Sequence, residues 1–143
     1  MRGALGPRVA RIEHVGSTAV PGLAALPVID LDVVLADPAG RPGAIARLGA
    51  IGYAHEGELG IPGRDAFRWP AGEARHHLYL LADGADELRR HLRFRDALRA
   101  DSALRERYAQ LKRDIAARPG ITRAAYKDAK GPFIAAVLAR ALR

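Results

Sequence analysis

Short apolar runs in the first half of the chain predict strands, because each run is β-branched or alternating and is bounded by glycine, proline or aspartate. The predicted strands cover residues 8–14, 28–35, 53–59, 66–69 and 77–81. A short helical or turn segment is expected over 18–25, and one helix over 42–51, ended by Gly52. The last two strands flank a Pro-Ala-Gly turn, so we expect them to pair antiparallel.

From residue 85 onwards, apolar residues recur at helical spacing. A first helix is expected over 86–99. A second helix follows, with Ser102 as its predicted N-cap. Its apolar stripe is formed by Leu104, Tyr108, Leu111 and Ile115. Beyond Pro119-Gly120 the pattern predicts a short helix over 122–129 and a final helix over 133–142. The chain is therefore expected to be strand-rich over 8–82 and helical over 85–143, within one domain of residues 1–143.

Composition narrows the class of protein. A chain of 143 residues is long enough to bury one hydrophobic core. Because it contains no cysteine, disulfides and thiolate metal sites are excluded. No apolar run approaches the ~20 residues of a membrane-spanning helix, and no signal-peptide pattern begins the chain. These features favour a cytoplasmic protein without a membrane partner.

Charge is distributed unevenly along the chain. Residues 1–84 carry eight Lys/Arg and nine Asp/Glu, whereas residues 85–143 carry fifteen Lys/Arg and seven Asp/Glu. The basic half is suited to a polyanion such as a nucleoside triphosphate or a nucleic acid. Solvated arginines on helix surfaces explain the same excess, and no sequence motif of nucleic-acid recognition accompanies it.

Two acids interrupt the most apolar predicted strand. Asp30 and Asp32 are one residue apart, so their side chains are expected on the same face of the strand. Two ionised carboxylates side by side in an apolar run are costly unless a cation neutralises them. Mg²⁺ or Mn²⁺ suits such oxygen ligands and also binds phosphates. The alternative is a partly solvated strand whose acids pair with arginines.

Gly16-Ser17 precedes Asp30, with twelve residues between Ser17 and the acid. Glycine lets a backbone turn approach an anion closely, and the serine hydroxyl and the backbone N–H groups are suited to phosphate. A plain turn with a serine N-cap is the alternative, and the two interpretations are compatible. A phosphate-holding turn followed by a metal-holding strand is the minimum for phosphoryl or nucleotidyl transfer.

The wider sequence resembles the GrpB family of the nucleotidyltransferase superfamily, whose fold is shared by DNA polymerase β and the aminoglycoside nucleotidyltransferases. The motifs that carry the resemblance occupy residues 12–25, 27–30, 63–67, 76–79, 91–96 and 108–112. It implies an α+β fold, with a small mixed sheet and a helical C-terminal half. It also implies that Asp30 and Asp32 are catalytic metal ligands.

The resemblance suggests further site residues. The candidate nucleotide-binding residues are Gly16, Ser17, Arg64, Arg95, Lys112 and Lys130, since a triphosphate needs cations around it. Helix-surface charge is an equally good explanation of these basic side chains. Superfamily enzymes often carry a third acid on the strand beside the Asp-x-Asp strand. Here His77 occupies the comparable place, as a third ligand, a base or a structural histidine. The sequence does not place Glu58 or Asp65 as substitutes.

Two departures from the family pattern favour a different function. Leu26 stands where the family commonly has lysine, and the helix that usually precedes the first strand has no counterpart in the ten residues before Arg11. The first hypothesis is a nucleotidyltransferase that uses a nucleoside triphosphate and an unknown small-molecule or protein acceptor. The second is a non-catalytic nucleotide-binding or accessory module, as in chains fused to dephospho-CoA kinase. The third, RNA binding, depends only on the basic half.

Overall fold

The computed structural model describes residues 9–21, 23 and 29–141, with the backbone alone described for Ser17 and Ala141. Five strands and four α-helices make up this part of the chain. The strands are β1 (Val9–Val15), β2 (Ile29–Leu35), β3 (Ala54–Gly57), β4 (Arg64–Arg68) and β5 (His76–Ala82). The helices are α1 (Arg41–Ala50), α2 (Asp86–Ala100), α3 (Ser102–Ala116) and α4 (Arg123–Ala141). Short 3₁₀ turns cover Ser17–Ala19 and Pro38–Gly40.

The strands form one mixed sheet in the order β1-β2-β5-β4-β3. β5 is the middle strand and runs parallel to β2, whereas the β1–β2, β4–β5 and β3–β4 pairs are antiparallel. The connection from β2 to its parallel neighbour includes α1, β3 and β4, as a parallel pair requires a long crossover. The fold is therefore α+β with a helical C-terminal half, which confirms the expected fold class.

The two faces of the sheet differ in character. One face packs α1 onto an apolar layer in which Val33, Leu48, Leu78 and Leu80 are almost completely buried. The opposite face of β2 and β5 carries Asp30, Asp32 and the residues beside them, and the C-terminal helices cover part of it. On that face Val34 and Leu81 of the sheet and Leu88 of α2 form a small buried apolar cluster, with Leu92 of α2 packed against it.

The C-terminal helices form their own apolar core. Tyr108 of α3 lies at its centre, stacked on Phe133 of α4 and in edge contact with Phe94 of α2, both at 5.2 Å between ring centroids. The predicted stripe of α3 is confirmed, because Leu104, Tyr108 and Ile115 are buried. None of the described helices is both long and apolar enough to cross a membrane.

Four boundary predictions are wrong. The N-cap of α3 is Asp101 rather than Ser102, since the Asp101 carboxylate accepts a hydrogen bond from the Leu104 backbone N–H at 3.1 Å. The helices expected over 122–129 and 133–142 are one helix with Pro132 inside it. The strand expected over 53–59 is shortened to β3, and β4 begins at Arg64, two residues before the predicted start.

Other expectations fall on residues outside the described part of the chain. They include the start of the first strand at Arg8, the segment around Leu26, the strand residue Val28 and the last helical residue Leu142. The 3₁₀ turn at Pro38–Gly40 is capped by the Asp37 carboxylate. The antiparallel pairing of the strands around Pro70 is confirmed.

Candidate functional site

Asp30 and Asp32 lie on one face of β2, as strand alternation predicts. In the sheet register, Asp30 is flanked by Val15 of β1 and His77 of β5, and Asp32 is flanked by Glu13 and Tyr79. Asp32 has no solvent-exposed surface, whereas the Asp30 side chain is 26% exposed. The first acid therefore faces an opening at the end of β1, and the second lies beneath the C-terminal helices.

Gly16 closes β1 directly beside the first acid. Its φ of +75° lies in the left-handed region, and a Cβ added there would collide with the Asp30 carboxylate. Glycine is therefore required both by the backbone conformation and by the close approach of the acid. Ser17 begins the 3₁₀ turn that follows, in which the Ala19 N–H bonds the Gly16 carbonyl. The predicted turn thus adjoins Asp30, and the Ser17 side chain lies outside the described atoms.

Two arginines of α2 hold this turn in place. Arg95 donates to the His14 carbonyl at 3.2 Å and to the Glu13 carboxylate at 2.7 Å. Arg99, one helical turn further on, donates to the Ala19 carbonyl at 2.8 Å. These bonds fix the backbone on both sides of Gly16. Arg95 is only 12% exposed and is already ion-paired with the Glu13 carboxylate. Its contacts therefore position the turn.

Asp30 and His77 form a hydrogen-bonded pair. His77 Nδ1 lies 2.7 Å from Asp30 Oδ1. Because an ionised carboxylate only accepts hydrogen bonds, this contact puts the proton on Nδ1 and leaves Nε2 of a neutral imidazole as an acceptor. The His77 ring is 40% exposed and lines two surface cavities. The arrangement resembles the carboxylate–histidine pair that orients a general base.

Asp32 has a half-buried partner that the sequence did not indicate. His91 of α2 lies between Asp32 Oδ2 at 2.6 Å and Glu87 Oε1 at 2.9 Å. Burial raises the pKa of Asp32, and the hydrogen bond from His91 opposes that rise. Burial by itself disfavours the imidazolium, but the bonds to Asp32 and Glu87 outweigh it and raise the pKa of His91 to about 9. His91 is therefore a cation at neutral pH.

One lysine of the helical half approaches Asp30, and a second lies beside the first. Lys130 of α4 lies close enough to Asp30 for the carboxylate to favour its charged form, although burial lowers the Lys130 pKa overall. Burial and then the charge of Lys130 lower the pKa of Lys112 to about 8. Their ammonium groups lie over tyrosine rings, Lys130 on Tyr126 at 4.8 Å and Lys112 on Tyr108 at 5.0 Å. Lys130 thus puts a cation near Asp30, and the role of Lys130 and Lys112 as nucleotide ligands stays a prediction.

Arg64 is more deeply buried than Lys112 and Lys130. It is 6% exposed, and its guanidinium lies 4.5 Å from the centroid of the Tyr79 ring. Its Nη2 contacts the Glu58 carbonyl at 3.4 Å, and its buried Nε has no hydrogen-bond partner. Its role as a phosphate ligand stays a prediction.

Neither acid considered as a third carboxylate reaches the pair. The Glu58 carboxylate accepts from the Gly63 N–H at 2.6 Å, in the loop before β4. Asp65 points to the opposite face of the sheet, where Arg41 of α1 binds it through two hydrogen bonds of 2.7 Å. Within residues 9–21, 23 and 29–141, no three His, Asp or Glu side chains converge as a metal site.

The donor set nevertheless fits a divalent cation of the magnesium type. Asp32 Oδ1 is buried and has no hydrogen-bond partner, so it is an oxygen without a ligand in a costly environment. Asp30 supplies a second carboxylate on the same face. Mg²⁺ is commonly held by one or two carboxylates and completes its coordination with substrate phosphates and water. Asp30 and Asp32 are the residues that would hold it.

Comparison with known proteins identifies one family. A family model described as "GrpB protein" matches residues 1–140. A UPF0157 protein of Halalkalibacterium halodurans is 35% identical over 99% of this chain and 72% of its own length. A UPF0157 protein of Streptomyces coelicolor is 39% identical over 91% of this chain and 68% of its own length.

The UPF0157 protein YqkA of Bacillus subtilis is longer. It is 37% identical over 78% of this chain, which corresponds to only 33% of its length. Among solved structures, the crystal structure of the conserved protein GrpB from Enterococcus faecalis superposes with a TM-score of 0.85 at 33% identity. That match covers 98% of this chain and 84% of the other, so the fold agrees over nearly the whole sequence.

Proposed function

The chain belongs to the GrpB family, and on that premise we propose that it is a nucleotidyltransferase that takes a nucleoside triphosphate together with Mg²⁺ or Mn²⁺. One observation carries the proposal: Asp30 and Asp32 share a face of β2 beside the Gly16 turn, and Asp32 retains a buried oxygen without a partner. When bound, the divalent cation neutralises phosphate charge and holds the α-phosphate in position.

The residues around the acids have distinct tasks in this proposal. The backbone of the Gly16-Ser17 turn faces the phosphates, and the α2 arginines keep that turn rigid. Lys130 and Lys112 supply the cations that a triphosphate tail needs. Because both lysines are half-buried, their attraction for a phosphate is screened less than that of a surface lysine.

The reaction is a single displacement at phosphorus. A hydroxyl or amine of the acceptor attacks the α-phosphorus, a new bond forms to the nucleotidyl group, and the bond to pyrophosphate breaks. His77 Nε2 accepts the proton that the nucleophile loses, while Asp30 holds the ring through Nδ1. Since nucleoside triphosphates are cytoplasmic metabolites, the proposal puts this activity in the cytoplasm.

A second candidate is a nucleotide-binding module without catalysis. The observation that favours it is His91, whose positive charge already compensates Asp32. The place of a third acid beside Asp30 is also taken by His77. In this alternative, the triphosphate binds in the same way, but no pyrophosphate is released.

The test combines binding and turnover. Wild type is melted with and without Mg²⁺ and each of the four common nucleoside triphosphates, and is then incubated with donors labelled at the α-phosphate. We expect at least one triphosphate to raise the melting temperature only with the metal, and Asp30→Asn to abolish that shift. The apo melt of Asp30→Asn should be unchanged or higher, because the variant relieves the repulsion between Asp30 and Asp32.

The matched control is Asp83→Asn, which removes one exposed carboxylate beyond the other end of β5. It should keep the full triphosphate shift. Binding with pyrophosphate release supports transfer, and binding without release supports the accessory module. A wild type that no triphosphate shifts, or an Asp30→Asn variant that responds normally, would refute both.

A further inference from the structure

A cationic groove runs along β4 and β5 towards His77. It consists of two adjoining cavities of about 510 and 390 Å³, which share Arg75, His77 and Arg123 as lining residues. The first cavity extends to Arg68 and Trp69, and the second to Tyr126 of α4. A groove of this size is in the range that encloses a small metabolite.

The arginines of the groove have no acidic partners. Arg68, Arg75 and Arg123 form no ion pair with any other described residue, although most arginines around the acids do. Arg68 and Arg75 instead lie 5.2 and 5.7 Å from the centroid of the Trp69 ring. Glu56 is the acid among the residues that line the first cavity. Guanidinium groups held over an aromatic ring, with their donors unpaired, are suited to phosphate or carboxylate.

The groove and the Gly16 turn, where the proposed function puts the triphosphate, lie on opposite sides of Asp30. Gly16 follows β1 and His77 is on β5. Because β1 and β5 lie on either side of β2, these two residues flank Asp30 from opposite sides. In an in-line displacement, the leaving group and the nucleophile approach the phosphorus from opposite sides. If the triphosphate tail lies over the Gly16 turn, the nucleophile enters over His77, which is where the groove opens.

From this arrangement we propose that the groove binds the acceptor, and that the acceptor is a small anionic molecule with a phosphate or carboxylate group. Arg75 and Arg123 bind that anionic group, and Trp69 packs against the body of the molecule. The hydroxyl or amine of the acceptor then reaches the α-phosphorus beside His77 and displaces pyrophosphate. This assignment rests on the proposed function for the reaction, but anion binding in the groove is measurable without it.

The experiment measures probe binding by calorimetry, with and without Mg²⁺ and a non-hydrolysable nucleoside triphosphate. The probes are 3-phosphoglycerate, glycerol 3-phosphate, glycerate and glycerol, which separate phosphate from carboxylate recognition. The variant is Arg75→Gln/Arg123→Gln. Its control, Arg93→Gln/Arg107→Gln, loses the same charge from exposed positions on α2 and α3, outside both cavities.

We expect the anionic probes to bind wild type and the control alike, and the groove variant at least about tenfold more weakly. Neutral glycerol should not bind, and the affinity for the nucleotide should stay unchanged in both variants. If no anionic probe binds wild type, or the groove variant binds as well as the control, the proposal is wrong. If nucleotide affinity falls in the groove variant, the groove holds the donor tail and the assignment to the acceptor is overturned.

Two outcomes keep this proposal distinct from others. Loss of salt-sensitive binding to an RNA oligonucleotide in the groove variant, without any effect on the small probes, would make the groove an RNA surface and overturn the assignment. If the nucleotide fails to bind wild type but the probes bind in the groove, the proposed function fails while the anion site stands.

Discussion

At the scale of single residues, Asp32 and Asp65 are both buried carboxylates, but their hydrogen bonding differs and their pKa values shift in opposite directions. Asp65 accepts two hydrogen bonds from Arg41 and one from His55, and the bonds from Arg41 lower its pKa most. Asp32 is hydrogen-bonded to His91 through Oδ2, whereas its Oδ1 has no hydrogen-bond partner. Burial raises the pKa of Asp32. A fully satisfied carboxylate stabilises the fold, whereas an unsatisfied one is suited to a ligand.

Asp65 gives a prediction about acid stability. Its folded pKa lies below the unfolded value, so its contribution is present above pH 3.8 and is lost as the pH falls through the folded pKa. We expect Asp65→Asn to lower the free energy of unfolding by about 1–3 kcal/mol at pH 7. The gap between variant and wild type should close in strong acid. Urea unfolding at a series of pH values measures both.

Asp83→Asn is the control for this prediction, since Asp83 is half exposed and has one ion pair of 3.3 Å, with Arg11. Its effect should stay below about 0.5 kcal/mol at every pH. Equal stability of Asp65→Asn and wild type at pH 7 would mean that the contacts on the α1 face contribute nothing.

The sequence could predict the acids but not the histidine that controls one of them. Asp30, Asp32 and Gly16 are set by local rules, because strand alternation and a short connection fix their positions. His91 is 59 residues from Asp32 and meets it only because α2 packs across that face of the sheet. The weak signal was Glu87 and His91 at helical i, i+4 spacing on the side of α2 that faces the sheet.

At the scale of elements, α4 shows how tertiary contacts override a local signal. Pro132 removes one backbone donor, and its ring opposes the carbonyl one turn earlier, so a proline of this kind usually ends a helix. The helix continues because residues after the proline are fixed in the core: Phe133 stacks on Tyr108, and Val137 and Leu138 are buried. The strands were predicted closely because the alternating pattern and the turn residues agree with the final sheet.

This tension gives a second stability prediction. Pro132 is exposed, so Pro132→Ala removes no buried contact and restores a helical hydrogen bond. We expect the free energy of unfolding to rise by about 1–2 kcal/mol, the helical gain being offset in part by the freer unfolded chain. Chemical unfolding measures the change.

The neighbouring glycine provides the comparison. Gly131 is also exposed and helical, and an added Cβ would meet nothing within 4 Å. Gly131→Ala should therefore gain about 0.5–1 kcal/mol from propensity alone. A Pro132→Ala variant that is less stable than wild type would show that the proline itself is needed by the packing of α4.

At the scale of the whole molecule, the basic residues of the C-terminal half have three roles. The basic half supplies arginines that hold the β1 turn, such as Arg95 on Glu13, and it supplies Lys130 near Asp30, with Lys112 beside Lys130. It also supplies Arg123 to the groove. The charge count of the sequence indicated a basic half suited to a polyanion. It could not say which cations lie near the acids, because that depends on how three helices pack over the sheet.

The lysine pair provides the last prediction, which concerns protons. Because the pKa of Lys112 is about 8, this lysine is about half protonated at pH 8. A triphosphate bound beside it favours the charged ammonium, so binding at pH 8 should take up protons, by about half a proton at Lys112. Calorimetry of triphosphate binding in buffers of different ionisation enthalpy measures this uptake.

Lys112→Met should bind the triphosphate more weakly and lose that share of the uptake, whereas Lys112→Arg should keep the charge and bind without it. Protons gained or released at His91, whose pKa of about 9 is set by Asp32 and Glu87, are the same in all three proteins. The difference between wild type and variant therefore reports on Lys112 together with Lys130, whose charge is coupled to it. If wild type and Lys112→Met take up the same number of protons, Lys112 does not face the bound phosphates, and the donor tail must lie elsewhere on the acid face.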